Sequence, residues 1–98
     1  MENEKRMAGK YEIIHAVQIG DREIVVGENP ADTNGRKYMT AFCESNDLFA
    51  RYDEVLVGDD YPEIMKYFGE RIAQQAEKTR TELFTPKFQG LGLIFLSP

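Results

Sequence analysis

Residues 10–27 read KYEIIHAVQIGDREIVVG: two alternating apolar runs flank Gly20-Asp21 at the spacing of a two-residue hairpin loop. With that pair as the turn, Ile19 faces Arg22, Val17 faces Ile24 and His15 faces Val26. Ile13 continues the same face. The opposite face takes Glu12, Ile14, Ala16, Gln18, Glu23 and Val25, a more mixed set that suits a sheet with one packed and one partly wet side. Helix cover is expected on the first face.

Downstream, GENPADTNGR (27–36) gathers Gly, Pro, Asn and Asp, residues that supply unusual dihedrals or cap their own turns, and reads as a loop. Residues 36–44 predict a third strand, with Tyr38, Thr40 and Phe42 on one side and Met39, Ala41 and Cys43 on the other; the alternation leaves the core side open. After Ser45-Asn46-Asp47, residues 49–57 predict a fourth strand. Its alternation slips between Tyr52 and Val55, which places a bulge or a short helical turn there.

Asp59-Asp60-Tyr61-Pro62-Glu63 carries the start signals of a helix: Asp60 as N-cap, Pro62 in the first turn, and Glu63 completing a capping box. Tyr61, Met65, Phe68, Ile72, Ala76 and Leu83 recur near a 3.6-residue period, flanked by Ile64, so one stripe packs on the sheet. Thr85-Pro86 is expected to end the helix. Its distal end, QQAEKTRTE, is polar on nearly all sides and predicts an overhang beyond the strands, open to solvent or to a partner. The expected architecture is α+β: an antiparallel meander of three or four strands, then one long C-terminal helix on one face. Residues 1–9 read as a loose tail, 10–84 as one domain and 85–98 as an apolar tail.

Composition limits function. A chain of 98 residues, 42% hydrophobic and 30% charged, suits one small folded domain. Cys43 is the single cysteine, so the chain forms no internal disulfide and completes no cysteine zinc site; a reducing, cytoplasmic setting is expected. The longest apolar run, residues 91–96, is too short to span a bilayer, and no membrane association is expected. Residues 44–63 hold seven carboxylates (Glu44, Asp47, Asp53, Glu54, Asp59, Asp60, Glu63) against Arg51 alone. Such a surface repels nucleic acid, whose binding relies on Lys and Arg at phosphates, so no direct nucleic-acid binding is expected.

Three chemistries compete for these residues. His15 and Cys43 would make an imidazole–thiolate pair if both faced the core, although single His and Cys residues on apolar strands more often serve packing. Asp53, Asp59 and Asp60 invite a hard cation, but their spacing matches no calcium loop and capping already explains Asp60. The same acids, with Glu63, suit a DNA-mimic surface or a protein contact, while solvated turns and helix N-terminal charges account for them without any ligand. No cofactor motif is present. The apolar tail, with Leu91, Leu93, Ile94, Phe95 and Leu96, is the leading interaction element: it suits strand addition to an open sheet edge of its own chain or a neighbour's.

The strings YEIIHAVQIGDREIVVGENP and AFCESNDLFARYDEVLVGDDYPEIMKYFGERI resemble a small protein family carried by conjugative transposons of Gram-positive gut bacteria, over residues 11 to 83. The resemblance implies an accessory role in a mobile element and transfers no catalytic residue. The sequence thus predicts a non-enzymatic cytoplasmic interaction or regulatory module, with an unidentified protein partner or self-association. The alternatives are a small enzyme using His15 and Cys43 or a metal, and an acidic DNA mimic.

Overall fold

A computed structural model describes residues 5–45 and 48–88, with side chains to residue 81. Five strands, β1 (Met7–Ala8), β2 (Tyr11–Ile19), β3 (Arg22–Glu28), β4 (Tyr38–Ser45) and β5 (Ala50–Gly58), pair antiparallel in chain order. One helix, α1 (Tyr61–Phe88), follows. The fold is the expected α+β arrangement with one strand more: β1 falls in the stretch read as a tail and pairs Met7 with Glu12 and Ala8 with Tyr11.

The hairpin register is the one the Gly20-Asp21 pair dictates, with Ile19 opposite Arg22, Val17 opposite Ile24 and His15 opposite Val26. One correction follows from a bulge. The register slips between Ile13 and His15, leaving Ile14 as the extra residue. Ile14 therefore packs under the helix, and Ile13 turns to the other side of the sheet. On β4, Tyr38 and Phe42 join the helix-side core with Ile24, Val26, Ile64 and Phe68, while Met39, Ala41 and Cys43 join Val25 on the opposite side.

The second bulge lies where the alternation of β5 slips. Thr40 faces Leu56 and Phe42 faces Asp53, so Glu54 and Val55 share one place in the ladder. Glu54 takes the left-handed conformation, φ 54°, uncommon for a residue with a side chain. On the helix side, the Arg22 guanidinium lies 3.8 Å from the centre of the Phe42 ring and 3.7 Å from the Glu54 carboxylate. Arg71 of α1 also approaches that ring and donates to Thr40 O at 3.1 Å, beside the bulge.

Asp60 occupies the N-cap position, since its carbonyl accepts the Ile64 amide in the first helical turn. The buried stripe runs through Ile64 and Phe68, then Gln75 rather than Ala76, which is exposed. Gln75 faces the sheet because its amide donates to Ile19 O and to Thr79 Oγ1, each at 3.4 Å, serving the end of the hairpin with a polar group. The helix also corrects its expected end: it passes Pro86 and reaches Phe88, the last described residue. Thr79 lies against Gly20 of the hairpin turn, and nine more helical residues, about 13 Å of helix axis, follow it.

Gly20 sits at φ +63°, and a Cβ there would lie 2.6 Å from Thr79 Oγ1. A Cβ added at Gly69 would meet nothing within 4 Å. Gly20→Ala is expected to cost about 1–3 kcal/mol from backbone strain and crowding, whereas Gly69→Ala is expected to gain up to about 1 kcal/mol of helix propensity. Urea unfolding of the two variants checks both signs.

Candidate functional site

The face of the sheet away from α1 carries its own core, with no helix over it among the described residues. Val25, Met39, Ala41 and Cys43 are all buried there, covered by Ala8, Tyr11, Ile13 and Tyr52. The sheet curls, bulges being a common source of bending, and the N-terminal segment straps this face. Tyr11 fits against β3 because residue 27 is glycine: a Cβ at Gly27 would meet Tyr11 Cβ at 2.8 Å and the Met39 side chain at 3.2 Å.

The strap is clamped by charge. Arg6 donates to both carboxylate oxygens of Glu23, at 3.0 and 2.6 Å, and its Nη2 lies 3.5 Å from Cys43 Sγ. The Ile13 amide donates to Arg6 O at 2.8 Å. Hydrogen bonding from Arg6 holds the Glu23 carboxyl below its usual range. Burial pushes the Cys43 thiol up, against the pull of the Arg6 charge.

Beyond the strap the same face opens into a groove of about 540 Å³. Buried Met39 and half-buried Tyr52 and Tyr11 line it together with Val55 and Val57 of β5. Lys10, Asp32 and Arg36 supply polar lining. The 27–36 loop is held in place by its own side chains: the Asp32 carboxylate accepts the amides of Asn34 and Arg36, which lowers its pKa, and the Tyr11 hydroxyl donates to Arg36 O.

Val55, Leu56 and Val57 keep 46%, 39% and 46% of their surface exposed. They belong to an edge strand, since among the described residues β5 pairs with β4 alone. The two halves of that edge differ in chemistry. Residues 50–54 carry Arg51, Asp53 and the left-handed Glu54, charges and a bulge of the kind that discourages strand addition. Residues 55–58 are uncharged and lie beside the groove.

The structure separates the candidate catalytic pair. His15 is on the helix side, hydrogen-bonded to the Tyr61 hydroxyl at 2.9 Å and packed near Phe68, whereas Cys43 is buried on the opposite face. The imidazole does not reach the thiol, because the sheet itself stands between them.

Among the described residues no three His, Cys, Asp or Glu side chains gather as a metal site. Asp53 pairs with Arg51 at 3.1 Å; Asp59, Asp60 and Glu63 stand at the start of α1, at the other end of β5's apolar half. The acidic segment is also less bare than its local sequence shows. Arg51 pairs with Glu44, and Arg22, contributed by β3, approaches both Glu44 and Glu54. The expected tail contacts, Leu91, Leu93, Ile94 and Phe95, lie outside the described residues.

The residues that sequence reasoning does not single out are Val55, Val57, Met39, Tyr11 and Tyr52. Their one visible signal is the slip in alternation before Val55. Among the described residues no helix is long and apolar enough to cross a membrane.

Two outcomes follow from the clamp and the thiol. Arg6→Ala is expected to cost about 1 kcal/mol at pH 7, a modest value because Arg6 remains partly exposed to screening solvent. Glu23 has a lowered folded pKa, so its contribution is present above the unfolded carboxylate value of 4.5 and fades as pH falls through the lower folded value; the gap between wild type and variant should close across that acid window in urea titrations. Cys43 should alkylate with iodoacetamide at pH 7 at least about 100-fold more slowly than in denaturant, as a protonated, buried thiol does. Fast native alkylation would contradict the burial. Compared with known proteins, the chain matches no family model, no curated protein and no solved structure.

Proposed function

We propose that the protein is a non-enzymatic interaction module whose working surface is the apolar half of the β5 edge and the groove beside it. The observation that carries this reading is the exposure of Val55, Leu56 and Val57 on a terminal strand next to buried Met39. An edge with no second strand beside it among the described residues, and with flanking apolar side chains, suits a partner that arrives as an extended, uncharged apolar segment, hydrogen bonds supplying affinity and the groove supplying side-chain selection. The charged, bulged half of the same edge restricts such pairing to residues 55–58 and so gives it a register.

Two further considerations favour a binding role. The candidate nucleophile pair lies on opposite faces of the sheet. Ion pairing by Arg22 and Arg51 divides the acidic segment into a compensated group and a separate cluster at the helix start, which favours a protein contact over phosphate mimicry. A buried, unpaired Cys43 suits a reducing compartment such as the cytoplasm. The transposon-family resemblance would make the module an accessory component of a mobile element.

Val57→Lys places a charge on the edge without altering the helix-side core. A partner retained by the wild-type protein from host lysate after nuclease treatment should be lost by at least about tenfold with this variant. Retention unchanged by Val57→Lys, or dependent on nucleic acid, would overturn the reading.

A further inference from the structure

Within the sequence, the segment whose chemistry matches the apolar edge is residues 90–97, GLGLIFLS, which carries no charge and alternates Leu91, Leu93 and Phe95 on one side of an extended chain. The geometry of α1 decides whose edge it reaches. The helix begins at Tyr61, three residues after β5 ends at Gly58, and runs without a break to Phe88. Its ends are therefore about 40 Å apart. Val57 lies four residues before Tyr61, at most about 14 Å from the helix start. Phe88 is consequently no nearer than about 26 Å to Val57 of its own chain. Leu93 extends at most about 18 Å from Phe88, and Phe95 about 25 Å, even with the backbone fully stretched. The tail cannot lay Leu91, Leu93 and Phe95 beside its own Val57 while the helix is intact.

We infer that residues 91–96 of one copy add a strand to residues 55–58 of a second copy, with Leu91, Leu93 and Phe95 turned toward the groove between Tyr11 and Val57. This rests on the reading of the β5 edge as the binding surface and adds the occupant. The length of α1 serves this exchange, since it sets the start of the tail far from its own Val57. A two-fold arrangement uses each edge once and closes, leaving neither apolar edge open.

Sedimentation velocity on the full chain, with two edge and tail variants, tests the exchange. Wild type is expected at twice the 11.3 kDa chain mass at 100 μM, and both Leu93→Asp/Phe95→Asp and Val57→Lys at the monomer mass with wild-type circular dichroism. The tail variant lies outside the described fold, so it stands as the test even if Val57→Lys fails to fold. A synthetic peptide of residues 90–97 should then bind the tail variant and shift the amide resonances of residues 55–58. A wild-type monomer at this concentration, or a dimer that persists in the tail variant, overturns the exchange. Peptide binding at residues 55–58 without a wild-type dimer would leave the edge reading standing while the exchange falls; absence of peptide binding as well would remove both.

Discussion

The β3–β4 pair is apolar on both of its faces, and the rest of the molecule depends on covering both. Ile24, Val26 and Phe42 point one way and Val25, Met39, Ala41 and Cys43 the other. Helix α1 covers one side. For the other, the sheet curls and the N-terminal strap crosses it, tied by Arg6 to Glu23 and admitted by the missing Cβ of Gly27. Burying large aliphatic side chains contributes roughly 1.5–3 kcal/mol each, so leaving the second face open would forfeit much of the small net stability of a domain this size. The cover reaches the centre of the sheet and stops short of β5.

Much of this is legible in the residues. A two-residue Gly-Asp turn leaves one register for the hairpin, and all three pairs it implies are formed. An Asp-Tyr-Pro-Glu start fixes the helix N-terminus because capping and the proline act locally. The slip before Val55 shows as a broken alternation and corresponds to the Glu54 bulge. By contrast the bulge at Ile14 hides among four consecutive residues, Glu12 to His15, in which either Ile13 or Ile14 suits a core face. Only the competition between two cores assigns them. Periodicity favours Ala76 over Gln75 because it scores apolar residues and cannot see the carbonyl of Ile19 waiting for a donor.

The site is less legible than the fold, for a related reason. Charge counted along the chain misses Arg22, which reaches Glu44 and Glu54 across the sheet from more than twenty residues away. His15 and Cys43 look compatible only while the face of β4 is open. What makes residues 55–58 distinctive is not a motif at all. It is their position on a terminal strand, past the reach of the strap and beside the groove, with a guarded half-edge before them. Exposure of Val55, Leu56 and Val57 follows from where the available cover runs out.

The central claim is that this uncovered end of β5 accepts an extended strand from a second copy of the chain. Amide hydrogen exchange of residues 55–58, followed by NMR from about 5 to 500 μM protein, measures it directly, because exchange reports whether edge amides acquire acceptors. Slowing confined to residues 55–58 with rising concentration, with β2 and β3 unchanged, is the result the account predicts. Rates at residues 55–58 that do not change with concentration, or slowing that appears instead along α1, would contradict it.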